Sequence, residues 1–199
     1  IRLGGDAMDA LQRQQVAKRL ALLPQDTDDI FPATVLDTAL IGRHPHIGRL
    51  RWESPEDHER ARDSLAKVGI ADLANRDVLS LSGGERRRLA IAQILTQAPD
   101  VYLLDEPTNH LDPQHQVDTL RICRQRADSG AGVNASLHDV NLAARVADRG
   151  RLLVGDGRWE CGATGEVLDE ERLEALFETP MEAVNWRHGR LFVAGGGRP

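Results

Sequence analysis

Short apolar runs, most of them closed by Pro, Gly or a carboxylate, punctuate this chain. Ile1-Arg2-Leu3 reads as strand, Gly4-Gly5-Asp6 as a turn, and residues 9–18 as an amphipathic helix. Leu20-Ala21-Leu22-Leu23 then forms a short strand closed by Pro24. An acidic loop from Gln25 to Pro32 leads to a helix over Thr34–Gly42 and a loop rich in His, Gly and Arg over residues 44–49. Ser54-Pro55-Glu56-Asp57 opens another helix, with a Ser cap, Pro at the first position and acids in the first turn. Ser82 and Glu85 have capping-box spacing before the helical run Arg86–Gln97. The segment 33–98 is thus mostly helical and lies between strands.

Val101-Tyr102-Leu103-Leu104 is a second apolar run, and it ends in Asp105 and Glu106. It reads as a buried parallel strand that delivers both carboxylates to its C-terminal edge, where open α/β sheets bind ligands. Asp112-Pro113 starts a helix to about residue 128, and Gly130-Ala131-Gly132 ends it. A further parallel strand runs from Gly132 to Leu137, weakened by Asn134, with His138 at its end. Leu152–Val154 and Arg158–Glu160 form a hairpin around Gly155-Asp156-Gly157. A short acidic helix over 170–178 and a tail from Pro180 complete the pattern.

Composition narrows the class. The 199 residues hold one α/β domain with a helical insertion. With 25 basic and 31 acidic residues the net charge is −6, which argues against a nucleic-acid coat. No apolar run is long enough to span a bilayer. Cys123 and Cys161 have no metal-ligand spacing and fit a reducing cytosol as ordinary thiols.

The chemistry concentrates in Leu81-Ser82-Gly83-Gly84-Glu85 and, 23 positions from Ser82 to Asp105, in the acidic strand end. Two glycines in a first helical turn cost roughly 1 kcal/mol each relative to Ala. They make sense if another molecule approaches bare N–H groups at the positive helix end, and phosphate is the usual such guest. Read as bland structure, the same residues are a helix cap and a core strand ending in solvated acids.

In this order the two segments resemble the signature motif and Walker B strand of an ABC-transporter ATP-binding subunit. The resemblance implies an α/β fold of the P-loop NTPase (RecA-like) class, with a parallel sheet and an inserted α-helical subdomain. Core sheet and Q-loop would occupy 1–32 and 99–155, the helical signature subdomain 33–98, and a C-terminal hairpin, helix and tail 156–199. No Gly-x-x-x-x-Gly-Lys-Ser/Thr loop occurs in the sequence. Gly4-Gly5 and Gly195-Gly196-Gly197 lack the Lys and preceding strand of a phosphate cradle. The expectation is an ATPase domain truncated before its phosphate loop and N-terminal β-subdomain.

Carried over residue by residue, the resemblance implies ATP and Mg²⁺ as cofactors. Asp105 would hold magnesium through water and Glu106 would orient or deprotonate the attacking water. Gln25 would reach either of them, and His138, followed by Asp139, would sense the γ-phosphate. Ser82, Gly83, Gly84 and Glu85 would serve ATP held by a second ATPase subunit in a head-to-tail homodimer. Asp112, in Asn109-His110-Leu111-Asp112, matches the D-loop, which communicates across that dimer. His44, His46 and His110 lack metal-ligand spacing and read as surface or interface groups.

Phe31-Pro32-Ala33-Thr34-Val35, Leu40–His46, His110-Leu111-Asp112 with His115-Gln116, and Leu137–Arg145 resemble ATPases of iron-siderophore, haem and cobalamin importers. Asn109-His110 leans toward iron-siderophore or cobalamin. The implied partners are membrane permease subunits, docked along Gln25–His46, and indirectly a substrate-binding protein, with no nucleic acid. The implied location is the cytoplasmic face of the plasma membrane. Two other readings are a soluble ABC-type ATPase acting in translation or DNA repair, and a scaffold module without hydrolysis. Intact Gln25, Glu106 and His138 argue against the scaffold.

Overall fold

A computed structural model describes residues 1–25, 32–48, 51–155, 157–187 and 189–195. They divide into two compact units, Ile1–Ser136 and Leu137–Pro199. In the first, strand β1 (Arg2–Leu3) pairs antiparallel with β2 (Asp6–Ala7). The link between them, Gly4-Gly5, has φ of 54° and 92°, positive at both positions as a tight hairpin turn requires. Arg19 braces this hairpin, donating to Leu3 O at 2.7 Å and to Asp6 at 2.8 Å.

Helix α1 covers Arg13–Arg19, four residues later than the sequence pattern suggests, and Met8–Ala10 form a 3₁₀ turn instead. The late start has a local cause: Gln12 and Gln15 make a reciprocal capping box, a pairing that standard cap residues do not signal. Strand β3 (Leu20–Leu23) follows as expected. Helix α2 (Val35–Leu40) is capped by Thr34, whose side chain accepts from Asp37 N at 3.1 Å. Beyond it a 3₁₀ helix, Ile41–His46, replaces much of the expected His-rich loop.

Helix α3 (Pro55–Lys67) starts at the Ser54–Asp57 capping box, and α4 (Gly83–Gln97) at the Ser82–Glu85 box. Strand β4 (Val101–Leu104), helix α5 (Pro113–Asp128) and strand β5 (Gly132–Ala135) complete this unit. The three strands form a parallel sheet in the order β3-β4-β5. One face is buried through Ala21, Leu23, Tyr102 and Leu104, in a core with Val35, Leu65, Ile70, Leu89, Ile91 and Leu95. Leu22, Leu103 and Asn134 pair in one row on the other face, where Leu22 is 63% exposed. Asn134 therefore sits where a polar side chain is tolerated, and β4 is half-buried rather than buried on both faces. Strand β5 ends at Ala135, so Ser136 and Leu137 lie beyond it.

The second unit contains α6 (Val140–Val146), the hairpin of β6 (Arg149–Leu153) and β7 (Trp159–Ala163), and α7 (Thr164–Val167). Helix α8 (Glu170–Phe177) follows. The expected tail is instead another antiparallel hairpin, β8 (Met181–Trp186) with β9 (Gly189–Ala194). It folds because Met181 and Phe192 join a core with Leu152, Val167, Leu168 and Leu173. Asn141 of α6 fixes it further, donating to Phe192 O at 3.0 Å and accepting Phe192 N–H at 2.7 Å. Among the described residues, no helix is long and apolar enough to cross a membrane.

Candidate functional site

Parallel strands end together, so the residues that follow β3, β4 and β5 converge on one edge of the sheet. The register carries on past the strands: Asp105 N donates to Leu23 O at 2.8 Å and Ser136 N to Leu104 O at 2.9 Å. Gln25, Asp105, Glu106 and Ser136 are thereby gathered at that edge. Asp105 is exposed, while Glu106 is buried to 9% exposure.

Glu106 is the centre of the arrangement. Its φ of 47° is left-handed, a backbone state that costs a non-Gly residue about 1 kcal/mol or more and persists only where neighbours enforce it. They do so here. Glu106 N donates to Ser136 Oγ at 2.9 Å, and its carbonyl accepts from Asn109 N at 3.0 Å and from Arg87 at 2.8 Å. On the carboxylate, Oε2 accepts from Asn109 Nδ2 and from Gln25 Nε2, the latter at 3.4 Å. Beside it, Asp105 Oδ1 accepts the Ser136 hydroxyl proton at 2.6 Å.

The signature segment belongs to the same unit. Ser82 Oγ accepts from Glu85 N at 3.3 Å, and Glu85 Oε2 accepts from Ser82 N at 2.7 Å. That backbone bond and the Ser82 hydroxyl hold the Glu85 carboxyl below its usual range. The two glycines differ. A Cβ at Gly84 would lie 3.1 Å from His110 O, so close packing within the chain already favours glycine there. A Cβ at Gly83 would meet nothing within 4 Å, so open space lies beside that backbone.

Asp112 caps α5, accepting from His115 N at 3.0 Å and His115 Nδ1 at 2.8 Å. Those contacts, the His115 N–H foremost, lower its carboxyl pKa. His138 lies in the second unit, exposed and directly before Asp139, the cap of α6. Phe31 falls outside the described residues. Cys123 is a packing group, and burial pushes its thiol up to about 11. No group of three or more His, Cys, Asp or Glu placed to hold a metal occurs among the described residues.

Two contributors escaped the sequence reading. Ser136 carries no local signal, since its role depends on strand pairing. Arg87 did leave one: it lies four, seven and eight positions before Ile91, Ile94 and Leu95, on the buried stripe of α4, and is itself only 5% exposed.

A sequence model of the ABC transporter family matches residues 1–109. The chain is 42% identical over 178 residues to the cobalamin import ATP-binding protein BtuD of Halobacterium salinarum, covering 88% of this chain. It spans 44% of that relative's length. It is 40% identical over 182 residues to the hemin import ATP-binding protein HmuV of Deinococcus radiodurans, covering 89% of this chain and 69% of the relative. Among solved structures, an inward-facing ABC transporter described as metal-chelate type superposes with a TM-score of 0.79 at 29% identity, covering 89% of this chain and 72% of that one. A dimeric ATP-binding cassette in a post-hydrolysis state with ADP and Pi superposes with a TM-score of 0.60 at 25% identity, covering 71% and 62%. The sheet of P-loop NTPase class, the capped signature helix and these relatives agree: the chain belongs to the ABC transporter family.

Proposed function

We propose that this chain forms part of an ATP-hydrolysing subunit that drives an importer of cobalamin, haem or an iron-siderophore. The observation that carries the reading is the Glu106 carboxylate, mostly buried at the sheet edge and held by Gln25 and Asn109 beside the exposed Asp105.

Glu106 is oriented to take a proton from water approaching the edge, a general-base role that needs a fixed carboxylate within hydrogen-bond reach. Gln25 shares that oxygen, so it orients either the carboxylate or the water. Asp105 offers an exposed carboxylate with one oxygen anchored by Ser136. A single carboxylate suits magnesium, which keeps several waters and takes its other oxygens from substrate phosphates. When bound, magnesium neutralises charge developing on the β- and γ-phosphates.

Ser82 and the open flank of Gly83 serve ATP held by a second copy, with Asp112 near the seam; the γ-phosphate role of His138 follows from the family resemblance. Glu85 acts through Ser82, whose cap it closes. A membrane permease docks beside α2, where Ile41 is 44% exposed at the start of the following 3₁₀ turn. The subunit works on the cytoplasmic face of the membrane.

The relatives' names point to cobalamin, hemin and petrobactin at 42, 40 and 36% identity, too close to choose among cargoes. Uptake of labelled cobalamin, hemin and a ferric siderophore, in cells with and without the gene, tests the reading. It predicts loss of one uptake on deletion, restored by wild type and not by Glu106→Gln. Unchanged uptake of all three would contradict it.

A further inference from the structure

Arg87 lies on the buried stripe of α4, five residues after the Ser82 cap. Its guanidinium donates to four backbone carbonyls. Nη1 reaches Pro24 O at 2.8 Å and Gln25 O at 3.1 Å, just past β3. Nη2 reaches Asp105 O and, at 2.8 Å, Glu106 O, just past β4. One planar fork thus spans both strand ends that carry the proposed chemistry, from a helix whose first turn is the signature motif.

We propose that Arg87 is a positioning residue that locks the Gln25 and Glu106 strand ends to each other and to the signature helix. The proposal rests on the ATPase reading above. Its physical basis is the geometry of the fork. Removal would take this donor from four carbonyls, of which the Glu106 bond is buried and the other three partly buried, and the Glu106 carbonyl would then regain a partner chiefly by moving. The peptide of Glu106 is the most sensitive, because its left-handed backbone is held partly by the Arg87 bond to its carbonyl. Lysine does not substitute: its ammonium is a point donor, whereas the guanidinium spreads its N–H groups over a rigid plane. Because the same side chain is fixed to α4, a tilt of that helix when its N-terminus meets a partner's nucleotide would shift Gln25 and Glu106 together.

The test compares wild type, Arg87→Gln and Arg87→Lys in the full-length subunit, with steady-state ATP hydrolysis and amide hydrogen exchange. Displacement of a base by about 1 Å costs about 100-fold in rate. Arg87→Gln should therefore lower kcat by about that factor while leaving the ATP KM within about threefold, since ground-state binding is untouched. Exchange should rise locally over residues 105–109, with α3 unchanged. Arg87→Lys, which keeps the charge and some of the bonds, should fall between the two and covers the case in which Arg87→Gln does not fold. Wild-type kcat in Arg87→Gln, or equal losses of kcat, ATP affinity and exchange protection throughout the unit, would overturn the proposal. If the wild-type subunit hydrolyses no ATP, the ATPase reading fails by itself. Exchange then decides the question of Arg87: a rise confined to 105–109 supports the lock, and an unchanged or uniform pattern rejects it.

Discussion

Gln25 Nε2 lies 3.4 Å from Glu106 Oε2, although 81 residues separate them in the chain. The contact follows from the parallel pairing of β3 with β4, which places Leu23 opposite Leu104 and sends both chains out at the same edge. A displacement of Gln25 would therefore change the contacts of the carboxylate assigned the proton transfer.

Ser136→Ala should slow hydrolysis more than it lowers stability. Its hydroxyl donates to Asp105 and accepts the Glu106 N–H, so alanine frees one carboxylate oxygen and orphans one amide. An unsatisfied buried group costs about 1–3 kcal/mol, and Ser136 is exposed enough for water to recover part of that. The expected result is a drop in kcat of about tenfold or more with a stability loss of about 1 kcal/mol. Steady-state kinetics beside urea unfolding of the same variant checks it.

Ser82 has two roles that substitutions separate. Ser82→Ala removes the cap from α4 and should lower stability by about 1 kcal/mol. Ser82→Arg should also block hydrolysis by filling the interface beside Gly83, without weakening nucleotide binding to the monomer. Equal loss of monomer affinity in a fluorescent-nucleotide titration would reduce the motif to a helix cap.

Acid should weaken the helical segment through Asp57. Burial raises its carboxyl pKa, but the Ser54 N–H, the Arg43 side chain at 2.7 Å and the Ser54 hydroxyl outweigh that and lower it from 3.8 to about 2. A depressed folded-state pKa gives stability that is present above about pH 4 and is lost as pH falls toward 2. Asp57→Asn should be less stable than wild type by up to about 2 kcal/mol at pH 7. The two unfolding curves should converge near pH 2.

Much of this molecule is readable without coordinates because its strongest signals are local. The Ser54 and Ser82 capping boxes, Pro113 after Asp112 and the apolar run into Asp105 each depend on residues a few positions apart. The α1 start escaped because Gln12 is an uncommon cap. The hairpin β8–β9 escaped because few of its side chains are buried, chiefly Met181 and Phe192, so its alternation is faint. The partners of Ser136 and Arg87 lie 18 to 63 residues away, so no local spacing names them, although the place of Arg87 on the buried stripe of α4 marks it as unusual.

The 199 residues contain no Gly-x-x-x-x-Gly-Lys-Ser/Thr sequence, so this chain expressed alone lacks the lysine and amide nest that hold the β- and γ-phosphates. Its ATP turnover should be at least about 100-fold below that of the full-length subunit. Phosphate release from the two proteins at equal concentration checks this.

Steady-state ATP hydrolysis by full-length wild type and Glu106→Gln, measured beside nucleotide affinity, addresses the central assignment directly. Glutamine keeps the size and one oxygen of Glu106 but cannot take a proton from water. The kcat of Glu106→Gln should fall by about 10²–10⁴-fold. ATP affinity should stay within about twofold, and an ATP-bound dimer should accumulate on size exclusion. A Glu106→Gln protein that stays monomeric and turns over ATP at the wild-type rate would contradict it.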